Sequence, residues 1–113
     1  MALFNDIEFG IEINPKEITW TTSAAYYSGN PAGNIIFSLP ARNPRVFLLL
    51  GSSNSGNSEI TEYRWGNNNN GIALKLEQQV QFTYPLVPQG EVVVTTPYTS
   101  SGRYWIIEGF IPS

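Results

Sequence analysis

Arg45-Val46-Phe47-Leu48-Leu49-Leu50-Gly51 holds the longest unbroken apolar run in the 113-residue chain, with Pro44 before it and a run of Ser, Asn and Gly to Ser58 after it. A strand turns successive side chains to opposite faces, so Val46 to Leu50 cannot alternate between a core and water. The reading places Phe47 and Leu49, or their alternates, against the interior of a sandwich. Val46, Leu48 and Leu50 then lie on the second face, where an overlying loop or another chain must cover them. Ile35-Ile36-Phe37, Val92-Val93-Val94 and Trp105-Ile106-Ile107 have the same two-faced character. A two-layer sandwich covers one face of each sheet, so such strands leave an uncovered apolar area on the order of the few hundred Å² that marks an interaction site. Val46, Leu48 and Leu50 are therefore the candidate partner-binding residues of the strand.

Outward from this run the chain reads as short strands and turns. Upstream, Asp6 to Asn14 alternates strictly, with Ile7, Phe9, Ile11 and Ile13 against Glu8, Gly10 and Glu12. Lys16 to Thr22 is a second strand, Ala24 to Tyr27 is ambiguous, Ser28 to Gly33 is a loop, and Asn34 to Leu39 is a strand closed by Pro40. Downstream, Gly51 to Ser58 has the composition of a mobile surface loop. Glu59 to Leu76 is a hairpin with Thr61, Tyr63 and Trp65 on one side, Ile72, Leu74 and Leu76 inward, and an Asn-rich tip at 67–70. Gln79 to Tyr84 follows, and Glu91 to Thr96 with Arg103 to Ile111 makes a last strand pair. Eight or nine short strands with turn signals roughly every ten residues indicate an all-β chain, a single antiparallel β-sandwich over 1–113, jelly-roll-like because the cysteines of an immunoglobulin domain are missing.

Composition narrows the chemistry. Only 13% of residues are charged against 42% hydrophobic, with a net charge of −3. The six Lys and Arg are scattered singly, so a nucleic-acid backbone finds no clustered cations to bind. The sequence has no Cys and no His, which removes thiol nucleophiles, disulfides, the commonest general base and the usual zinc ligands. Glu8 and Glu12 would stand roughly 13 Å apart on a strand, wider than either glycosidase geometry. Glu59 and Glu62 fall on opposite faces of their strand, and all four of these acids sit at positions read as solvent-facing or turn. These features predict no enzyme activity, no cofactor and no metal. No apolar run reaches the ~20 residues of a membrane helix. The acidic N-terminus lacks the pattern of a signal peptide, which predicts production in a host cytoplasm.

Two classes of function fit. Sugar sites use aromatic faces and amide side chains, and Tyr63, Trp65, Asn67 and Asn68 supply both in one stretch, a candidate carbohydrate-binding site. Adhesive assembly fits the two-faced strands, with residues 1–8, carrying Leu3 and Phe4, as an N-terminal arm that adds to a neighbour's sheet edge.

The short arm, the absence of Cys and the closing pattern Pro88-Gln89-Gly90-Glu91-Val92-Val93-Val94-Thr95-Thr96-Pro97 with Gly102-Arg103-Tyr104-Trp105-Ile106-Ile107-Glu108-Gly109 resemble phage capsid decoration, or cement, proteins and small accessory domains of virions. The resemblance implies a structural protein on the capsid surface, a homo-oligomer with a trimer favoured, clamping a major capsid protein, and it carries over no site residue. The expectation is therefore a structural virion protein, with a lectin-like module as the alternative.

Overall fold

The computed structural model describes residues 14–30, 33–55, 59–67, 69–95 and 100–112. The alternating strand proposed for Asp6 to Asn14 and the arm residues Leu3 and Phe4 lie outside them, apart from Asn14. Asn14 caps a single 3-10 turn, Pro15–Glu17, by accepting a 3.0 Å bond from the Lys16 N–H. Pro15 suits the first position of that turn because its missing N–H would have no partner there.

Eight strands follow: β1 Thr19–Asn30, β2 Ile35–Leu39, β3 Arg45–Ser52, β4 Ile60–Trp65, β5 Asn70–Lys75, β6 Gln79–Thr83, β7 Val92–Thr95 and β8 Ser100–Phe110. The pairings nest. β4 pairs with β5, β3 with β6, β2 with β7 and β1 with β8, all antiparallel, as in one long hairpin with its tip at β4–β5. Rolling that hairpin over brings β8 beside β3 and β7 beside β4. Two four-stranded sheets result, ordered β1-β8-β3-β6 and β2-β7-β4-β5. This is a jelly roll, the architecture expected from the sequence.

The parity of the central strand is the reverse of the first reading. Val46, Leu48 and Leu50 have no accessible surface, whereas Phe47 and Leu49 are half-buried. Leu48 and Leu50 pack between the sheets with Ile106, Tyr63, Val92 and Val94. Val46 closes one end over Ile18, Phe47, Tyr84 and Ile111. Each buried Leu or Val contributes about 1.5–3 kcal/mol. A side chain with no exposed surface cannot meet a partner, so these three residues are core, and the outward set of β3 is Phe47 and Leu49.

Other boundaries moved for identifiable reasons. The segment read as a loop from Ser28 begins inside β1, which runs on to Asn30. Gly51 and Ser52 still belong to β3, and Asn54 is fully buried. Its amide donates to Thr61 Oγ1 and the Leu74 carbonyl, each at 3.3 Å, while its Oδ1 accepts the Arg103 N–H at 2.6 Å. A segment bonded in this way is fixed, whatever its Ser and Asn content suggests. Leu76, expected inward, leaves the strand at φ 52° and is 45% exposed. The expected last hairpin is absent: β7 belongs to the second sheet and β8 to the first.

A buried ion cluster pins one end of the sandwich. Glu108 on β8 and Arg45 at the start of β3 both have side chains with no exposure. Arg45 Nε donates to Glu108 Oε2 at 2.9 Å, its Nη1 to the carbonyls of Pro88 and Gly90 at 2.6 and 3.0 Å, and its Nη2 to that of Pro40 at 2.7 Å. Gln89 completes the clamp, accepting the Arg45 N–H and donating to its carbonyl. One guanidinium thereby ties two loops to β8. Glu108, which no motif in the sequence singles out, is the centre of this network.

Candidate assembly surface

The register of the β1-β8-β3-β6 sheet determines which side chains share its outer face, since directly opposed residues point the same way. Trp20 opposes Gly109, Thr22 opposes Ile107 and Ala24 opposes Trp105. Gly109, Ile107 and Trp105 in turn oppose Phe47, Leu49 and Gly51 of β3. Gln79, Gln81 and Thr83 of β6 finish the face. Its centre is thus apolar and aromatic, its β6 margin is neutral and polar, and among the described residues its one charged side chain is Arg103 at the end beside Tyr26.

Two glycines let the indoles lie flat. A Cβ on Gly51 would stand inside the Trp105 ring, and one on Gly109 would come within 3.0 Å of the Trp20 ring. Trp20 also meets Phe47 edge-to-face, with centroids 5.5 Å apart. The Arg103 guanidinium sits 4.6 Å above the Tyr26 ring, a cation–π contact that leaves its charge toward water. Trp20 and Tyr26 remain half exposed, at 51% and 50%. A shallow hollow of about 290 Å³ lies between Tyr26, Ser53, Arg103 and Trp105.

The outer face of the other sheet differs in kind. There Glu62 and Arg64 form a two-pronged ion pair at 3.0 Å, Thr95 donates to Glu62 at 2.7 Å, and Lys75 stands at the edge. That face therefore carries charge that the first lacks at its centre, although Ile60 and Val93, both buried, and Ile35, 62% exposed, share it.

The residues proposed for sugar binding do not assemble. Tyr63 is fully buried, its hydroxyl donating to the Gly51 carbonyl with the Trp105 carbonyl 3.2 Å away, so it bridges the two sheets. Burial pushes its phenol well above the ordinary tyrosine value, although the two backbone carbonyls act in the opposite sense. Trp65 is half-buried and packs edge-to-face on Phe82 at 5.5 Å. Asn67 is exposed in the β4–β5 turn with φ 57°, the left-handed conformation Asn tolerates, and Asn68 lies outside the described residues.

Glu108 could be mistaken for a catalytic carboxyl, but its oxygens are taken. Oε1 accepts from Thr21 Oγ1 and Arg42 Nη2, and Oε2 from Arg42 Nε and Arg45 Nε. Desolvation alone would raise its pKa; the bonds from Arg42, Arg45 and Thr21 outweigh it and hold the carboxyl below the usual range. Among the described residues no three acidic side chains gather to hold a metal ion. Sequence reasoning missed the roles of Trp20 and of Gly51 and Gly109. The available signal was the aromatic-rich β8 run, with Tyr104, Trp105 and Phe110, beside the apolar β3 run.

No family model matches this sequence, and no curated protein matches it. Among solved structures, the chain is similar to a protein of Bacillus endospore appendages, described as a novel family of disulfide-linked pili, at 14% identity over 85% of this chain and 89% of that one, with a TM-score of 0.51. A Cupin_2 domain of an XRE family transcriptional regulator from Enterobacter cloacae aligns at 9% identity over 86% and 84% of the two chains, with a TM-score of 0.42. At such identities the likeness to the appendage protein is one of fold alone.

Proposed function

We propose that this chain is a structural, non-enzymatic assembly subunit that works by adhesion, burying the outer face of its β1-β8-β3-β6 sheet against sister copies and a larger protein shell, in the manner of the capsid decoration proteins its sequence resembles. The observation that carries the reading is the contrast between the two outer faces. Trp20, Phe47, Leu49, Trp105 and Ile107 form one continuous apolar surface, while the opposite sheet presents the Glu62–Arg64 pair. Burial is worth roughly 25 cal/mol per Å², so a face of a few hundred Å² supplies several kcal/mol in gross terms. The appendage protein offers a parallel, because there a similar fold belongs to pili. Those pili are disulfide-linked, and this sequence has no Cys, so its own contacts would be non-covalent.

Light scattering over a concentration series tests the reading. A mass above the monomer that falls on dilution is expected; a strict monomer throughout would overturn self-assembly. A second reading, carbohydrate binding, draws on the half-exposed rings of Trp20 and Tyr26 rather than on Tyr63. Saturable binding on a glycan array, lost in Trp20→Ala, would put that reading first.

A further inference from the structure

At one margin the adhesive sheet ends in a strand without the usual protection. β1 is 12 residues long and stands at the edge, with β8 as its one neighbour among the described residues. Edge strands expose unpaired N–H and C=O groups, and folded proteins blunt them with charge, proline, bulges or brevity. Thr19 to Tyr27 has neither charge nor proline and pairs with β8 in unbroken register, the irregularity coming only beyond Tyr27. The other margins are guarded. β6 has five residues; β2 has five, with a register shift and Pro40 after it; β5 has six and carries Lys75.

The direction of the free main-chain groups follows from Arg103. Its N–H donates to Asn54 Oδ1 and its carbonyl accepts from the Ser53 N–H at 3.4 Å, both away from β1. Its cross-strand partner Tyr26 therefore turns its own N–H and C=O outward, and by strand alternation so do Ala24, Thr22 and Trp20.

We propose that this edge pairs antiparallel with β1 of a second copy about a two-fold axis at Ser23, joining two four-stranded sheets into one of eight. The inference rests on the assembly reading above and names one of its contacts. Ser23 is the midpoint of the unbroken run from Thr19 to Tyr27, so this register uses all four outward-facing residues. Trp20 meets the second copy's Tyr26, and Thr22 its Ala24, in hydrogen-bonded pairs. The two half-exposed rings cover each other, and the apolar face continues across the axis. Such a contact is closed, giving a dimer in place of the trimer the capsid resemblance implies.

Ser23 then opposes its own copy in the close, non-bonded position, with Cα atoms roughly 4.5 Å apart, inside the range a disulfide spans. Because the sequence has no Cys, Ser23→Cys carries a single thiol and barely perturbs the fold. Under mild oxidation it is expected to form a covalent dimer, while Gln81→Cys on the far edge does not. Ala24→Pro, which removes an outward N–H and no bond to β8, is expected to weaken the dimer about tenfold or more. If the protein forms oligomers yet Ser23→Cys stays unlinked, the edge contact is wrong and the assembly reading stands, with another surface at the interface. If the protein is a monomer at every concentration, both fail.

Discussion

Replacing Glu108 by alanine is expected to cost about 3–5 kcal/mol of stability, the range for removing one partner of a buried ion pair. The loss exceeds that of a surface bridge because two guanidiniums depend on this carboxylate. Arg45, with no exposed surface, would keep its carbonyl partners at Pro40, Pro88 and Gly90 but lose its counter-charge, and Arg42, 2.9 Å away, would lose its own. Burial alone already lowers the pKa of Arg45, and the carboxylate opposes that shift. A shift of the urea midpoint at pH 7, with little change in slope, is the measurement. An Arg45→Leu change should be comparably severe, since it removes one of the two guanidiniums that pair with Glu108 and strips the loop carbonyls of Pro40, Pro88 and Gly90 of their shared donor.

The same network predicts an acid limb. The carboxyl of Glu108 is held below its ordinary value of 4.5 in the folded state. Its contribution is therefore fully present above the unfolded value and is lost as pH falls through the folded one. The stability gap between wild type and Glu108→Gln should be constant above about pH 5 and narrow below about pH 4. A gap that stays constant to acid pH would contradict the ion-pair assignment.

The second large effect separates adjacent residues. Leu48→Ala is expected to cost about 2–5 kcal/mol, whereas Leu49→Ala should cost less than about 1.5 kcal/mol. Leu48 has no exposure and sits between the sheets; Leu49 is half-buried on the outer face, with no second layer above it among the described residues. Paired chemical denaturation of the two variants reads the parity of β3 directly. Equal losses would mean that both faces are covered within one chain, which removes the main reason to propose an adhesive surface.

The strands themselves were legible because alternation in β4 and β5 and the long apolar run in β3 leave little choice of element. The parity of β3 was not, since residues 46–50 are apolar on both faces and period two cannot say which set is inside. The decision comes from across the sheet, where Gly51 receives Trp105 and Leu48 aligns with Glu108. The ion cluster was hidden for the same reason. Arg42 and Arg45 lie 66 and 63 positions from Glu108, and each in isolation looks like a surface charge. One local sign was present: Glu108 stands between Trp105-Ile106-Ile107 and Phe110, unusual surroundings for a solvated acid. Asn54 and Tyr63 were misread because composition suggests loops and sugar sites, while burial turned both into cross-links between parts of the fold.

Self-association of three proteins compared by sedimentation at the highest soluble concentration tests the adhesive face most directly. Leu49→Lys places a charge at the centre of the outer face of the β1-β8-β3-β6 sheet, and Ala73→Lys places one on the exposed outer face of the other sheet. The account predicts a lower weight-average mass for Leu49→Lys than for wild type, with Ala73→Lys matching wild type and all three keeping the same β circular-dichroism signal. Equal masses for all three, or a loss of association in Ala73→Lys alone, would contradict it.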